Sequence, residues 1–162
     1  VPELKYAVIG RGPEEMAIRQ AGAEWGEENA VLIQTDADDE TVRWAYAAAD
    51  LFFMPNRPVA NNSEGFGIVA LEASSQGVPV IATAVEGLTD AVQDGINGRC
   101  VPPGDLRQFA AVAADLLMHP VARQALGNQA RAFAMEHTWS RIAPRYQAVF
   151  REAVQENMNA PS

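Results

Sequence analysis

The sequence predicts an α/β fold, a Rossmann-like parallel sheet flanked by helices. Three observations lead there. Short β-branched runs alternate with helical patterns at the spacing of βαβ units, which argues for a parallel sheet covered on both faces. The 162 residues match one ordinary domain with a proper core. Apolar residues at 48% and charged residues at 20% are normal for a soluble globular chain.

The elements follow in order. "LKYAVIG" (4–10) is short, apolar and β-branched, the pattern of a buried strand. In "RGPEEMAIRQAGAEWG", Pro13 suits a first helical position, and Glu14 and Glu15 suit a positive helix start. "AVLIQT" (30–35) is the second strand, and the Asp cluster of "DADDETVRWAYAAAD" can cap the helix after it. "LFFMP" (51–55) is the third strand, and "NRPVANNS" leads to a helix over 66–75 that stops at Gly77. "GVPVIAT" is the fourth strand and "AVEGLTDAV" a turn with a short helix. Asp94-Gly95 and Asn97-Gly98 mark a compact loop around one more strand. From Asp105 the chain reads as helical up to a tail, 157–162, expected to be disordered. The rest, 1–156, forms one domain.

Charge and cysteine content narrow the function. A net charge of −9 excludes a basic nucleic-acid surface and disfavours an anionic membrane as partner. Cys100 is the only cysteine, so there is neither an internal disulfide nor a thiolate metal cluster, and the expected compartment is the reducing cytoplasm. No apolar run reaches the ~20 residues of a membrane-spanning helix, and no signal peptide heads the chain. Beginning almost directly on a strand pattern suggests a piece cut from a longer fold.

In parallel α/β sheets, ligands sit beyond the carboxyl ends of the strands. The loops after Ile9, Gln34, Met54 and Ala82 are therefore the expected site walls. "GRGPEE" after the first strand is a partial dinucleotide fingerprint: its third glycine is replaced by Glu15, and two carboxylates there would repel a pyrophosphate. Glu64 and Glu72 carry more weight. Along a helix starting near Gly65, eight residues span roughly 12 Å, too far for the ~5–9.5 Å of a glycosidase acid/base pair. The separation suits two ends of an elongated ligand, with bare backbone N–H groups at Gly65 and Gly67 between them. Each carboxylate can accept from a vicinal diol, and two sugars joined by a diphosphate make a nucleotide sugar. The plainer alternative makes Glu64 a solvated loop residue and Glu72 a surface position. Against it, the neighbours Ile68, Val69, Leu71 and Ala73 suggest a helix buried on most sides.

The strings "EGFGIVALEASSQGVPVIA" and "EGLTDAVQDGINGRCVPPGD" resemble the nucleotide-binding, C-terminal half of group 1 family retaining glycosyltransferases of the GT-B fold. The likeness rests on E-(x)7-E, a Gly-x-Pro-Val strand and a D-G-x-N-G-x-x-V loop. "VIGRGP", "AYAAADLFFMP" and "TWSRIAPRYQAVF" fall in family order, so it covers nearly the whole chain. It implies that Glu64 holds the transferred sugar near the reacting carbon. Gly65, Phe66 and Gly67, with Ile68 and Val69, would face the donor sugar and diphosphate. Glu72 would hold the ribose, and Gln34, Thr35 and Pro55 would border the base. It also implies a UDP-, GDP- or ADP-sugar as substrate with no cofactor or metal, and retention by same-face attack.

The chain departs from the family in places. Glu86 and Asp90 stand where a Gly-Gly-x-x-Glu pattern is frequent. The resemblance implies that the Arg and Lys gripping the diphosphate precede the first strand. Lys5 is a poor substitute, and Arg11 and Arg57 are speculative phosphate contacts. The resemblance further implies an N-terminal acceptor domain ahead of this segment, so the chain alone is expected to be inactive. His119 is expected to end a helix, and His137 to lie beside a cap made by Thr138. Trp139, Ile142, Tyr146, Val149 and Phe150 form a stripe most simply read as core packing, with part of it exposed in a fragment. Two other readings remain: a stand-alone nucleotide-binding or partner-dependent module without catalysis, and a sugar-nucleotide epimerase or dehydrogenase of related fold.

Overall fold

The structure is a computed structural model that describes residues 4–24, 31–57, 66–85 and 87–159. Strands and helices alternate as expected: β1 (Tyr6–Ile9), α1 (Glu15–Glu24), β2 (Val31–Gln34), α2 (Asp39–Ala48), β3 (Phe52–Met54) and α3 (Ile68–Ser75). Then come β4 (Val80–Thr83), α4 (Leu88–Ala91), β5 (Gly98–Val101), α5 (Leu106–Met118), α6 (Pro120–Glu136) and α7 (Trp139–Asn159). Local chemistry accounts for several ends. Asp38 accepts from the Thr41 N–H at 2.8 Å and Asp105 from the Gln108 N–H at 2.8 Å, each capping a helix start. Pro120 opens α6, where its missing N–H costs nothing, and His119 ends α5 as expected.

All strand pairs are parallel. The expected sheet forms as two hydrogen-bonded groups, β1-β2 and β3-β4-β5. Side chains join them where backbone bonds do not: Tyr6 stacks on Phe53 with ring centroids 5.9 Å apart.

β4 is buried along its whole length, and its alternating side chains feed two cores. On one face Val80 and Ala82 meet Met54, Ala70 and Ala73 together with Leu88 and Ala91 of α4. On the other Ile81 and Val101 meet Leu116 of α5 and Leu126 of α6. This part is covered on both faces. β1 and β2 are not: their residues alternate between half-buried and exposed, and α1 and α2 bury no residue fully.

The "DGINGR" loop is tied down from inside. Asn97 is fully buried; its amide nitrogen donates to the Ala91 carbonyl at 2.7 Å, and its oxygen accepts from the Gln93 N–H at 2.7 Å. Asp94 accepts from the Cys100 N–H at 2.9 Å and from Arg99 at 3.0 Å. At Gly98 any Cβ would run into the Val80 carbonyl, so the β4–β5 pairing itself demands glycine.

Two expectations change at the C-terminal end. α7 is described to Asn159, so helix enters the tail expected to be disordered. The apolar stripe on α7 is largely outside the core: Trp139, Tyr146, Val149 and Phe150 are all exposed, and only Ile142 is half-buried. Helical spacing shows that the residues share a face but cannot supply a surface to pack against. Among the described residues no helix is long and apolar enough to cross a membrane.

Candidate functional site

Among the described residues, Gln34, Thr35, Pro55, Arg57 and Phe66 lie at, or in the segments that follow, the carboxyl ends of β2 and β3. β1 and β2 end together, with the Gly10 N–H donating to the Gln34 carbonyl at 3.0 Å. Arg11 pairs with Asp36 and donates from Nε to the Thr35 carbonyl at 3.3 Å. That engagement ties Arg11 to the turn after β2. Gln34 is exposed and Thr35 half-buried at the same edge. Lys5 is exposed just ahead of β1, outside the strand expected to contain it.

β3 delivers Pro55 and Arg57, both exposed. Their loop is fastened to β4 by Thr83, whose hydroxyl donates to the Asn56 carbonyl at 2.6 Å. Glu64, Gly65 and Glu86 lie outside the described residues. α3 begins at Ile68, two residues later than its sequence pattern suggested.

The delay has a clear cause. Gly67 takes the N-cap with φ +76°, a left-handed conformation that disfavours a side chain. A Cβ there would also lie 2.6 Å from the Leu88 Cδ2 of α4 and 3.6 Å from the Met54 Cε of β3. No side chain caps this helix start. Its first backbone N–H groups therefore sit at the end of β3 with the positive end of the helix dipole. The far end of α3 is held by Arg131, which donates to the carbonyls of Ser75 at 3.2 Å and Gln76 at 3.1 Å. Phe66, 42% exposed, faces His137 with ring centroids 6.5 Å apart.

Glu72 is exposed, which corrects the expectation that its helix is buried on most sides. α3 buries only the small residues Ala70, Ala73 and Ser74, while Ile68 and Val69 stay 66% and 41% exposed. A short helix of apolar composition buries one face only, and here that face is the one with the smallest side chains. The Glu72 carboxylate consequently reaches solvent about 7.5 Å along the helix axis from Gly67. It is not free-swinging: the Tyr46 hydroxyl donates to its Oε2 at 3.1 Å.

Some residues that meet the candidate residues carried no sequence signal. Tyr46 comes from α2, 26 residues before Glu72, and no periodicity links the two. His137 ends α6, with Nδ1 2.9 Å from the Phe133 carbonyl, so the bridging proton is on Nδ1. The Thr138 hydroxyl donates to the Met135 carbonyl at 3.2 Å, a bond to the end of α6 rather than the acceptor bond of an N-cap. The proximity of His137 to Phe66 was visible only in three dimensions.

The family model described as "Glycosyl transferases group 1" matches residues 1–133. The chain belongs to this family. Among similar glycosyltransferases, D-inositol 3-phosphate glycosyltransferase from Thermobispora bispora is 38% identical over 133 residues, which are 82% of this chain and 30% of that protein. GDP-mannose-dependent alpha-(1-6)-phosphatidylinositol monomannoside mannosyltransferase from Mycolicibacterium smegmatis is 32% identical over 85% of this chain and 36% of its own length. The solved structure of sucrose-phosphate synthase from Thermosynechococcus elongatus superposes with a TM-score of 0.81 at 27% identity, covering 96% of this chain and 40% of that one. The chain thus spans about a third of the length of the curated relatives it matches, and its fold is the Rossmann-like half of a GT-B glycosyltransferase.

Proposed function

We propose that the chain is the donor-binding part of a retaining glycosyltransferase that moves a hexosyl group from a nucleoside-diphosphate sugar to an acceptor. The observation that carries this is the start of α3. A glycine-capped helix N-terminus without a side-chain cap stands at the carboxyl end of the sheet, with an exposed carboxylate a little over one turn further in. The helix start suits a diphosphate, since backbone N–H groups and dipole both favour an anion. Glu72 suits a ribose diol, because its carboxylate accepts from two neighbouring hydroxyls. Gln34, Thr35 and Pro55 border the base, and Phe66, Gly67, Ile68 and Val69 border the diphosphate and sugar. The similarity to the Mycolicibacterium enzyme, named as GDP-mannose-dependent, supports a nucleotide-sugar donor of some kind.

In this reading Glu64 holds the sugar beside the reacting carbon, a role resting on the sequence motif. The acceptor oxygen attacks the anomeric carbon on the face from which the diphosphate departs, and the leaving oxygen takes the acceptor proton. Binding of UDP-, GDP- and ADP-sugars to the full-length protein, followed by calorimetry, is the first test. One nucleotide class should bind, Glu72→Ala should weaken it severely, and Glu64→Gln should stop transfer while sparing nucleotide affinity. Undiminished turnover in Glu64→Gln removes the role given to that residue.

A further inference from the structure

We infer that Tyr46 is a positioning residue for the donor site, acting as a rigid arm that aims the Glu72 carboxylate. The inference rests on the donor-site reading and adds a residue on a different helix to it. Glu72 stands exposed on α3 and would by itself sample many side-chain orientations, a freedom lost on binding a diol. The Tyr46 hydroxyl removes part of that freedom in advance by donating to Oε2 at 3.1 Å.

Tyr46 can do this because its own position is fixed. It is half-buried near the end of α2 and packs against the core made by β4, α3 and α4. Its ring meets Phe52 of β3 edge-on, with centroids 5.5 Å apart at 66°. Tyrosine turns about only two side-chain torsions, so packing the ring fixes the oxygen. Burial first, and then the neighbouring Glu72 charge, push the phenol above its ordinary pKa, so it remains a donor throughout the working range.

The division of labour at Glu72 follows from counting lone pairs. A carboxylate has about four acceptor sites. Tyr46 occupies one on Oε2 and leaves the second Oε2 site and both on Oε1 for the two hydroxyls of a ribose. The ordered carboxylate therefore presents a preset face to the diol. The phenol also couples α2 to α3, so the part of the chain that carries β2 is held in register with the helix that carries Glu72.

A double-mutant cycle on the full-length protein tests this, reading the Kd of whichever of UDP, GDP or ADP binds the wild type best. Tyr46→Phe should weaken binding about fivefold, the scale of one ordinary net hydrogen bond. In a Glu72→Ala background the same change should have no effect. The donor KM should rise with kcat nearly unchanged, and the melting temperature should hold because Phe keeps the ring on Phe52. Unchanged affinity in Tyr46→Phe, or equal weakening with and without Glu72, overturns the inference. Failure of the wild type to bind any of the three nucleotides, or indifference of binding to Glu72→Ala, overturns the donor-site reading itself.

Discussion

The β1–α1–β2–α2 portion and the portion from β3 onward share one architecture but are built to different densities. No described residue before Met54 is fully buried, and large apolar side chains stand open there, with Met16 75%, Trp44 68% and Leu32 51% exposed. From β3 onward, β4 is buried end to end and two cores pack against its faces. The lesson concerns what each portion contributes. The dense one fixes the start of α3 between Met54 and Leu88 and ties the β3 loop down through Thr83. The open one brings Gln34 and Thr35 to the carboxyl end of the sheet and Tyr46 alongside α3, and exposed pairs such as Arg11–Asp36 fasten its loops. Exposed ion pairs hold weakly, so the proposed diphosphate end of the site is preformed and the base end more pliable.

Glycine substitutions should break this symmetry most sharply. Gly98→Ala drives a Cβ into the Val80 carbonyl at the heart of the dense portion, and its expected cost is about 4 kcal/mol or more, enough to prevent folding. Gly12→Ala, with nothing within 4 Å of the new Cβ, should stay within about 0.5 kcal/mol. Denaturant unfolding of the two variants measures the contrast, and equal losses would remove it.

Core truncation gives a finer comparison. Ile81 is 0% exposed between β4 and the α5–α6 layer, so Ile81→Ala should cost about 3–4 kcal/mol. Ile33 is only half-buried in β2, and Ile33→Ala should cost about 1 kcal/mol, since less apolar surface is lost. Urea midpoints with unchanged slopes would report both.

The smallest effect is electrostatic. Asp94 is held below the usual carboxylate range, chiefly by the Cys100 N–H and then by Arg99. A lowered folded pKa means that its contribution is present above the unfolded value of about 3.8 and is lost as pH falls through the folded one. The side chain is 54% exposed, so solvent screening keeps the expected loss in Asp94→Asn below about 1 kcal/mol. Melting curves of the two proteins should differ near neutral pH and converge as the pH drops below 3.8. A gap that persists in acid would mean that the Asp94 charge is irrelevant to the loop.

Much of the fold was legible because its signals are local. Asp38 and Asp105 precede helices that they do cap, and Gly77 does end α3, with φ +77°. The turn at "DGING" was legible because Asp94 and Asn97 bond to groups within six residues of themselves, whereas the need for glycine at 98 comes from Val80 on the neighbouring strand. The site was legible only in part. Gly67 could be recognised as a place for close backbone approach, but its role as the cap and the later start of α3 depend on Leu88 and Met54 arriving from other elements. Glu72 was expected in a buried setting, and the structure exposes it.

The sequence by itself determined the order and kind of the elements, the parallel sense of the strands, the caps and turns, and membership in a glycosyltransferase family. These depend on periodicity and on residues a few positions apart, which the chain states directly. The tertiary structure alone decided which face of α3 is buried, that Glu72 reaches solvent with Tyr46 beside it, that Arg11 is paired with Asp36, and that the α7 stripe stands open. Each depends on groups brought together from distant positions, and packing distance has no counterpart in sequence distance.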